Sequence, residues 1–191
     1  MMRNLIVVVV GLCFVAPAFA DENVYDIDQA HTQAVFSVDR FGFDSILGVF
    51  AKSGGTVWID EDHPENSHVD AWVTTDSLWS SDATRDGFVR GKAWLDSAAN
   101  PTLTFQSTRV ERTGANTANV TGDLTVFGQT HPVTFATKLN KIGVDIVTGR
   151  PAAGFSLEGE ISRKDFGSTT AAALIGDKIS IRIEALVEQR K

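Results

Sequence analysis

Apolar and polar residues alternate along most of this chain, in segments separated by clusters of turn-forming residues. In "AVFSV", residues 34–38, Phe36 and Val38 alternate with Val35 and Ser37, the period of two that marks a strand. The same pattern predicts strands near 25–38, 45–60, 68–76, 102–111, 117–126, 131–142, 152–163 and 178–189. Each carries one apolar stripe: Val57/Ile59, Val69/Ala71/Val73, Leu103/Phe105, Val120/Leu124/Val126, Val133/Phe135/Leu139, Phe155/Leu157/Ile161 and Ile179/Ile181/Ile183. Between them lie the turn signals "EDHPENS", "RTGANT", "FGQT" and the stretch around Pro151, and Gly54-Gly55 predicts a bend in the second strand. Eight strands with one inward stripe each predict an all-β fold, a closed eight-stranded antiparallel barrel.

Two segments break the pattern. Residues 80–101 are too long for a hairpin and hold a helix start at Ser81 or Asp82. Gly87 and Gly91 weaken one long rod, so two short helical turns are expected in a helical insertion over about 81–96, with Phe88, Val89, Trp94 and Leu95 on its apolar side. The second is the turn after Val38, where Phe41, Phe43, Ile46 and Leu47 stand in place of the usual small polar residues. Together these two apolar segments are expected to line one end of a greasy interior. Periodicity alone leaves open whether that interior is a cavity or a filled core.

The N-terminus changes the count of folded residues. Arg3 precedes "LIVVVVGLCFVAPAFA", which ends in Ala18-Phe19-Ala20 before Asp21. This reads as a secretory signal over 1–20, with one domain over 21–191 and the periplasm as destination. A membrane anchor would need about 20 apolar residues without the Pro17 break. The one cysteine, Cys13, leaves with the signal, so neither thiol chemistry nor disulfides remain. Loss of Arg3 takes the net charge from −7 to −8. With no basic patch, nucleic acid is not an expected partner.

Candidate chemistry is sparse. Of His31, His63, His68 and His131, only His63 and His68 are close in sequence, at a spacing poor for metal, and all four read as surface residues. "GFSLEG" has Glu158 where a nucleophile elbow needs glycine, and it alternates like a strand. Asp165 in "RKDFG" has no accompanying phosphate loop. Asp86 and Arg90 are spaced for a helix ion pair. Trp58 and Trp72 lie on the outward parity as a cross-strand pair, to be covered by neighbours, a helix or a second copy of the chain. No metal, cofactor or catalytic set is expected.

Five separated motifs carry a resemblance: "YDIDQAHTQAVFSV…FGF…GVF", "TRDGFVRGKAWLD…NPTLTFQST", "VTGDLTVFGQTHPVTF", "AGFSLEGEISRKDFG" and "GDKISIRIEALVE". In this order and spacing, over roughly residues 24–190, the chain resembles the YceI-like family of secreted lipocalin-like proteins. The resemblance implies a lipocalin-like barrel around a tunnel for a polyisoprenoid or similar long-chain amphiphile, such as a quinone or polyprenyl phosphate. It makes Phe36, Val38, Phe41, Phe43, Ile46, Phe50, Phe88, Trp94, Leu95, Phe105, Leu124, Val126, Phe135 and Phe155 the expected tail-binding residues. Arg40, Arg85, Arg90 and Lys92 are the expected headgroup residues. The family's usual histidine is Phe88 here, its usual aspartate is Ala93, and Arg40 replaces a common histidine. These changes concern polar positions, and so the headgroup more than the tail. The expected partner is the lipid, met through transient contact with a membrane or membrane protein. Enzymatic modification of such a lipid, an outer-membrane barrel, and a solid barrel serving adhesion are the competing readings.

Overall fold

The computed structural model describes residues 23–191. Residues 1–20, expected from sequence to be a secretory signal, therefore lie outside the described residues. Eight long antiparallel strands follow one another around a closed barrel, and three of them are broken in two. The first consists of β1 (Asn23–Ile27) and β2 (Gln33–Arg40), separated by a 3-10 turn at Gln29–His31. The second consists of β3 (Asp44–Phe50) and β4 (Ser53–Ile59). The third is β5 (His68–Thr74) and β6 (Leu78–Trp79), split by a 3-10 turn at Thr75–Ser77. The unbroken strands are β7 (Thr102–Arg112), β8 (Thr117–Val126), β9 (Gln129–Val144), β10 (Pro151–Ser162) and β11 (Ile175–Gln189). Each strand pairs with its successor, and β11 closes the ring on the first, with Ile181 opposite Phe36 and Gln189 opposite Tyr25. Closure leaves no long edge open to unwanted pairing.

The bend expected at Gly54-Gly55 falls instead at Ala51-Lys52. There the amides of Ala51 and Lys52 donate to the Ser77 carbonyl and hydroxyl, at 3.1 and 3.0 Å. The breaks in the second and third strands thus brace each other. The two glycines serve close approach: a Cβ on Gly54 would meet the Trp72 ring at 2.5 Å, and one on Gly55 the Asp70 carbonyl at 2.1 Å. Trp58 and Trp72 do face outward but do not pair. Trp58 stacks on His68 at 4.0 Å between ring centroids, while Trp72 lies over Gly54. His68 is accordingly half-buried, as is His131 against the Phe166 ring, so these two are not plain surface histidines.

The insertion forms one helix, α1 (Ala83–Arg90), capped by Asp82, whose carboxylate accepts from the Arg85 amide at 2.9 Å. Irregular turns follow it to Ala99. The expected Asp86–Arg90 ion pair does not form, because Asp86 faces the barrel. It is 4% exposed and accepts from the amide of Ser80 at 2.9 Å and from its hydroxyl. Arg90 turns away and donates to the Asp76 carbonyl at 3.0 Å.

Packing is concentrated at the two ends. Leu124, Val126, Val133, Phe135 and Phe166 form a buried cluster near the α1 end, here the upper end. Tyr25, Ala153 and Val187 form another near the lower end. A domain of this size ordinarily has one contiguous core. Here inward-facing Ile179, Ile181 and Ile183, on the strand running between the clusters, remain only half-buried.

Candidate functional site

The space those isoleucines face is a cavity of about 970 Å³ running the length of the barrel. Its wall is the set of inward stripes: Val57, Ile59, Val69, Ala71, Val73, Leu103, Phe105, Leu157 and Ile161 among them. The alternation that makes each strand amphipathic therefore makes the lumen apolar. At the upper end Phe88, Val89, Trp94 and Leu95 reach over it, and Phe88 is also 69% exposed, so the cavity opens beside α1. Strands of about ten residues rise roughly 33 Å, which at a 35–45° tilt gives a tunnel on the order of 25 Å long.

Three aromatic rings sit against glycines of neighbouring strands. Phe36 covers Gly48, Phe105 covers Gly122, and Phe135 covers Gly159. A Cβ at these glycines would come within 2.2, 2.5 and 2.7 Å of the respective rings. At Gly48 all three nearest atoms belong to the Phe36 ring, so Gly48→Ala must push that ring toward the lumen. We expect the variant to lose about 1–3 kcal/mol of stability and to hold less of any tail. Thermal unfolding and lipid extraction measure the two effects, and Phe36→Leu in the same chain should restore both.

Charged groups are confined to the ends, while the hydroxyl-bearing Thr32 and Ser53 line the cavity at the breaks in the first two strands. The upper end has Arg40, Ser80, Asp82, Arg85, Arg163 and Ser168, and the lower end Asp60, Glu61, Arg112 and Asn116. Arg85 donates through Nε to the Ser80 hydroxyl at 2.8 Å and also to the Ser80 carbonyl. The Arg85 amide holds the Asp82 carboxyl below its ordinary range. Arg163, 4% exposed, donates to the carbonyls of Gly176, Thr170 and Ile175 at 2.9, 2.8 and 3.0 Å. It shapes the 163–174 loop, which the Thr170 hydroxyl ties to the Ala93 carbonyl.

Of the residues expected from sequence, Phe36, Val38, Ile46, Phe50, Phe88, Trp94, Leu95, Phe105, Leu124, Val126, Phe135 and Phe155 line the cavity, with Arg40 and Arg85 at its upper end. Phe41, Phe43, Arg90 and Lys92 do not. Arg40 pairs with Asp44 in the β2–β3 ladder, which leaves 41–43 as a turn beyond the barrel wall. Phe43 there is 88% exposed, and Phe41, at φ +59°, lies under the Arg40 guanidinium. Leu47, opposite Ser37, faces outward. Lys92 is exposed just past α1. Sequence reasoning overlooked Arg163, although stepping two residues on from inward Ile161 would have found it. The glycine seats were equally available, since glycine inside a strand signals close approach. Among the described residues no group of three His, Cys, Asp or Glu side chains could hold a metal.

The YceI-like domain family matches this chain over residues 25–187. A UPF0312 protein of Pseudomonas fluorescens is 39% identical over 145 residues, covering 75% of each chain. Protein YceI of Salmonella arizonae is 33% identical over 174 residues, covering 91% of this chain and 90% of that one. Among solved structures, Burkholderia cenocepacia BcnA superposes with a TM-score of 0.76 at 22% identity, covering 84% of this chain and 98% of its own. A polyisoprenoid binding domain from Saccharophagus degradans superposes with a TM-score of 0.66 at 12% identity, covering 87% and 98%. At these identities the two structures speak to the fold.

Proposed function

The chain belongs to the YceI-like family, and on that premise we propose that it is a non-catalytic carrier of a long isoprenoid amphiphile, such as a quinone or polyprenyl phosphate. The observation that carries this reading is the apolar cavity of about 970 Å³, lined along its length by inward strand residues. Small-molecule pockets span roughly 300–1,000 Å³, so this one suits a large ligand. A tail burying on the order of 500 Å² at ~25 cal/mol/Å² gains roughly 12 kcal/mol. Association and tail ordering cost about 4–15 kcal/mol. Affinity then rests on the tail, and Arg40 and Arg85 need only orient a headgroup. A tunnel of roughly 25 Å exceeds the ~15 Å half-thickness of a bilayer core, which favours a chain longer than an ordinary acyl tail.

The competing readings fit less well. A solid barrel would fill its interior. A membrane-spanning barrel presents apolar residues outward, whereas β10 and β11 present Glu158, Glu160, Lys178, Arg182 and Glu184 there, joined in ion pairs. An enzyme needs a nucleophile beside a free base, and Asp60, His68 and Asp82 of the lining are engaged elsewhere: the Asp60 carboxylate accepts from the His63 amide and the Asn66 side chain, His68 stacks on Trp58, and the Asp82 carboxylate caps α1. The proposed compartment is the periplasm, reached after cleavage behind Ala20, with Asp21 as the first residue found by N-terminal sequencing.

The test is native purification followed by organic extraction and mass spectrometry. A long-chain isoprenoid at close to one per chain is the expected result. Protein that carries no lipid and takes none up from detergent solution defeats the proposal.

A further inference from the structure

We propose that the upper rim of the barrel is a membrane-docking surface that seats the tunnel mouth in the headgroup layer of a neutral bilayer. This deepens, and rests on, the reading of the tunnel as a lipid site. Three separate segments raise apolar side chains around that mouth. Phe43 in the β2–β3 turn is 88% exposed, Leu47 just below it 62%, Phe88 on α1 69%, and Leu174 in the 163–174 loop 54%. The turn and the loop are tied by the Phe41 amide donating to the Leu174 carbonyl at 2.8 Å. Phe88 belongs to the tunnel lining and to this rim at once, so rim and lumen form one continuous apolar surface.

The shape selects the occupant. Protein partners that use an apolar surface typically lay a helix in a groove or add a strand to an edge. Apolar tips on three segments around an opening match a fluid plane instead. Leu47 lies three residues past Asp44, about 10 Å below the turn, which is within the roughly 5–10 Å reached by interfacial elements. Aromatic residues favour that depth. Seating the mouth there lets a tail pass between bilayer and lumen without crossing water. Charge contributes little: Arg40 at the rim lies 4.0 Å from Asp44, and the chain's net charge of −7 opposes anionic surfaces. The contact is therefore apolar and insensitive to salt.

A second exposed apolar tip provides the control. Ile146 and Val147, 94% and 88% exposed, cap the β9–β10 turn at the lower end, held by amides donating to Asp145. Neither lines the tunnel.

Full-length exported protein, stripped of lipid, is floated with phosphatidylcholine vesicles at 0.1 and 0.5 M salt as trial conditions. The parent should float equally at both. Phe43→Ser with Leu47→Ser should partition at least tenfold more weakly, with unchanged melting because both side chains are exposed. Leu174→Ser, on a different segment, should weaken flotation independently, whereas Ile146→Ser with Val147→Ser should float like the parent. A parent that does not float, rim variants that float equally, or a lower-tip variant that loses as much would overturn the proposal. So would a parental dimer in solution that the rim variant converts to monomer, since the rim would then face a second copy. Lipid uptake from detergent is measured in parallel. Its loss with flotation intact strikes the tunnel reading, and the reverse strikes the docking surface alone.

Discussion

Ile181→Trp should empty the tunnel of lipid while leaving the barrel folded. Ile181 sits midway along β11, opposite Phe36 on β2 and Gly159 on β10, and it is half-buried although it faces inward. Its exposed surface faces the cavity. In a packed interior the added ring would cost about 1–3 kcal/mol in strain. Here it extends into space that a tail would occupy. Co-purified lipid should fall at least tenfold, and the melting temperature should stay within a few degrees of the delipidated parent. The comparison must be lipid-free, because a ligand that binds only the folded state raises apparent stability. Leu124→Trp is the contrasting substitution. Leu124 is 9% exposed within the upper packed cluster, so there the 1–3 kcal/mol strain should appear. Unchanged lipid together with strong destabilisation at Ile181 would show the interior to be ordinary core.

The largest loss of stability is expected from Arg163→Ala. The guanidinium is buried and donates to three carbonyls of the segment that it organises. Removing it strands those acceptors, at about 1–3 kcal/mol for each group left unsatisfied. A total of roughly 3–5 kcal/mol, with melting lowered by about 10 °C, is expected for a domain of this size. Arg163→Lys should recover little, since one ammonium cannot reach acceptors that a planar fork spans. Thermal unfolding of lipid-free protein decides it: a variant melting within 2 °C of the parent would show those carbonyls to be satisfied in another way.

The barrel was legible in the sequence because period-two alternation survives wherever a strand has a wet face and a dry face. All eight strands and nearly every inward residue follow from it. The strand breaks were not legible. They depend on Ser77 bonding across to Ala51 and Lys52, which no local pattern encodes. Phe41 and Phe43 misled because apolarity was read as burial, whereas the Arg40–Asp44 pairing places them beyond the wall. Asp86 misled in the opposite sense. Its helical spacing to Arg90 suggested a solvated pair, but the face on which it lies is fixed by how α1 meets Ser80. The cavity itself was the hardest feature to read, since an inward apolar stripe looks the same against a void as against a partner.

The phenylalanine–glycine seats have a consequence for how such a barrel changes its cargo. Each seat divides a fixed volume between two adjacent strands, so widening or narrowing the bore is an exchange across one hydrogen-bonded pair of strands. A small residue in place of Phe36 with a larger one at position 48 would relocate a bulge in the wall without touching register or closure. Single steps along that path are penalised, because a Cβ at position 48 collides with the ring still present. Changes in tail preference should therefore arrive as coupled substitutions at 36 and 48 or at 135 and 159, making the calibre of the tunnel adjustable in two discrete increments, whereas position 122 stays glycine because a Cβ there would also strike the Gln106 carbonyl at 2.4 Å.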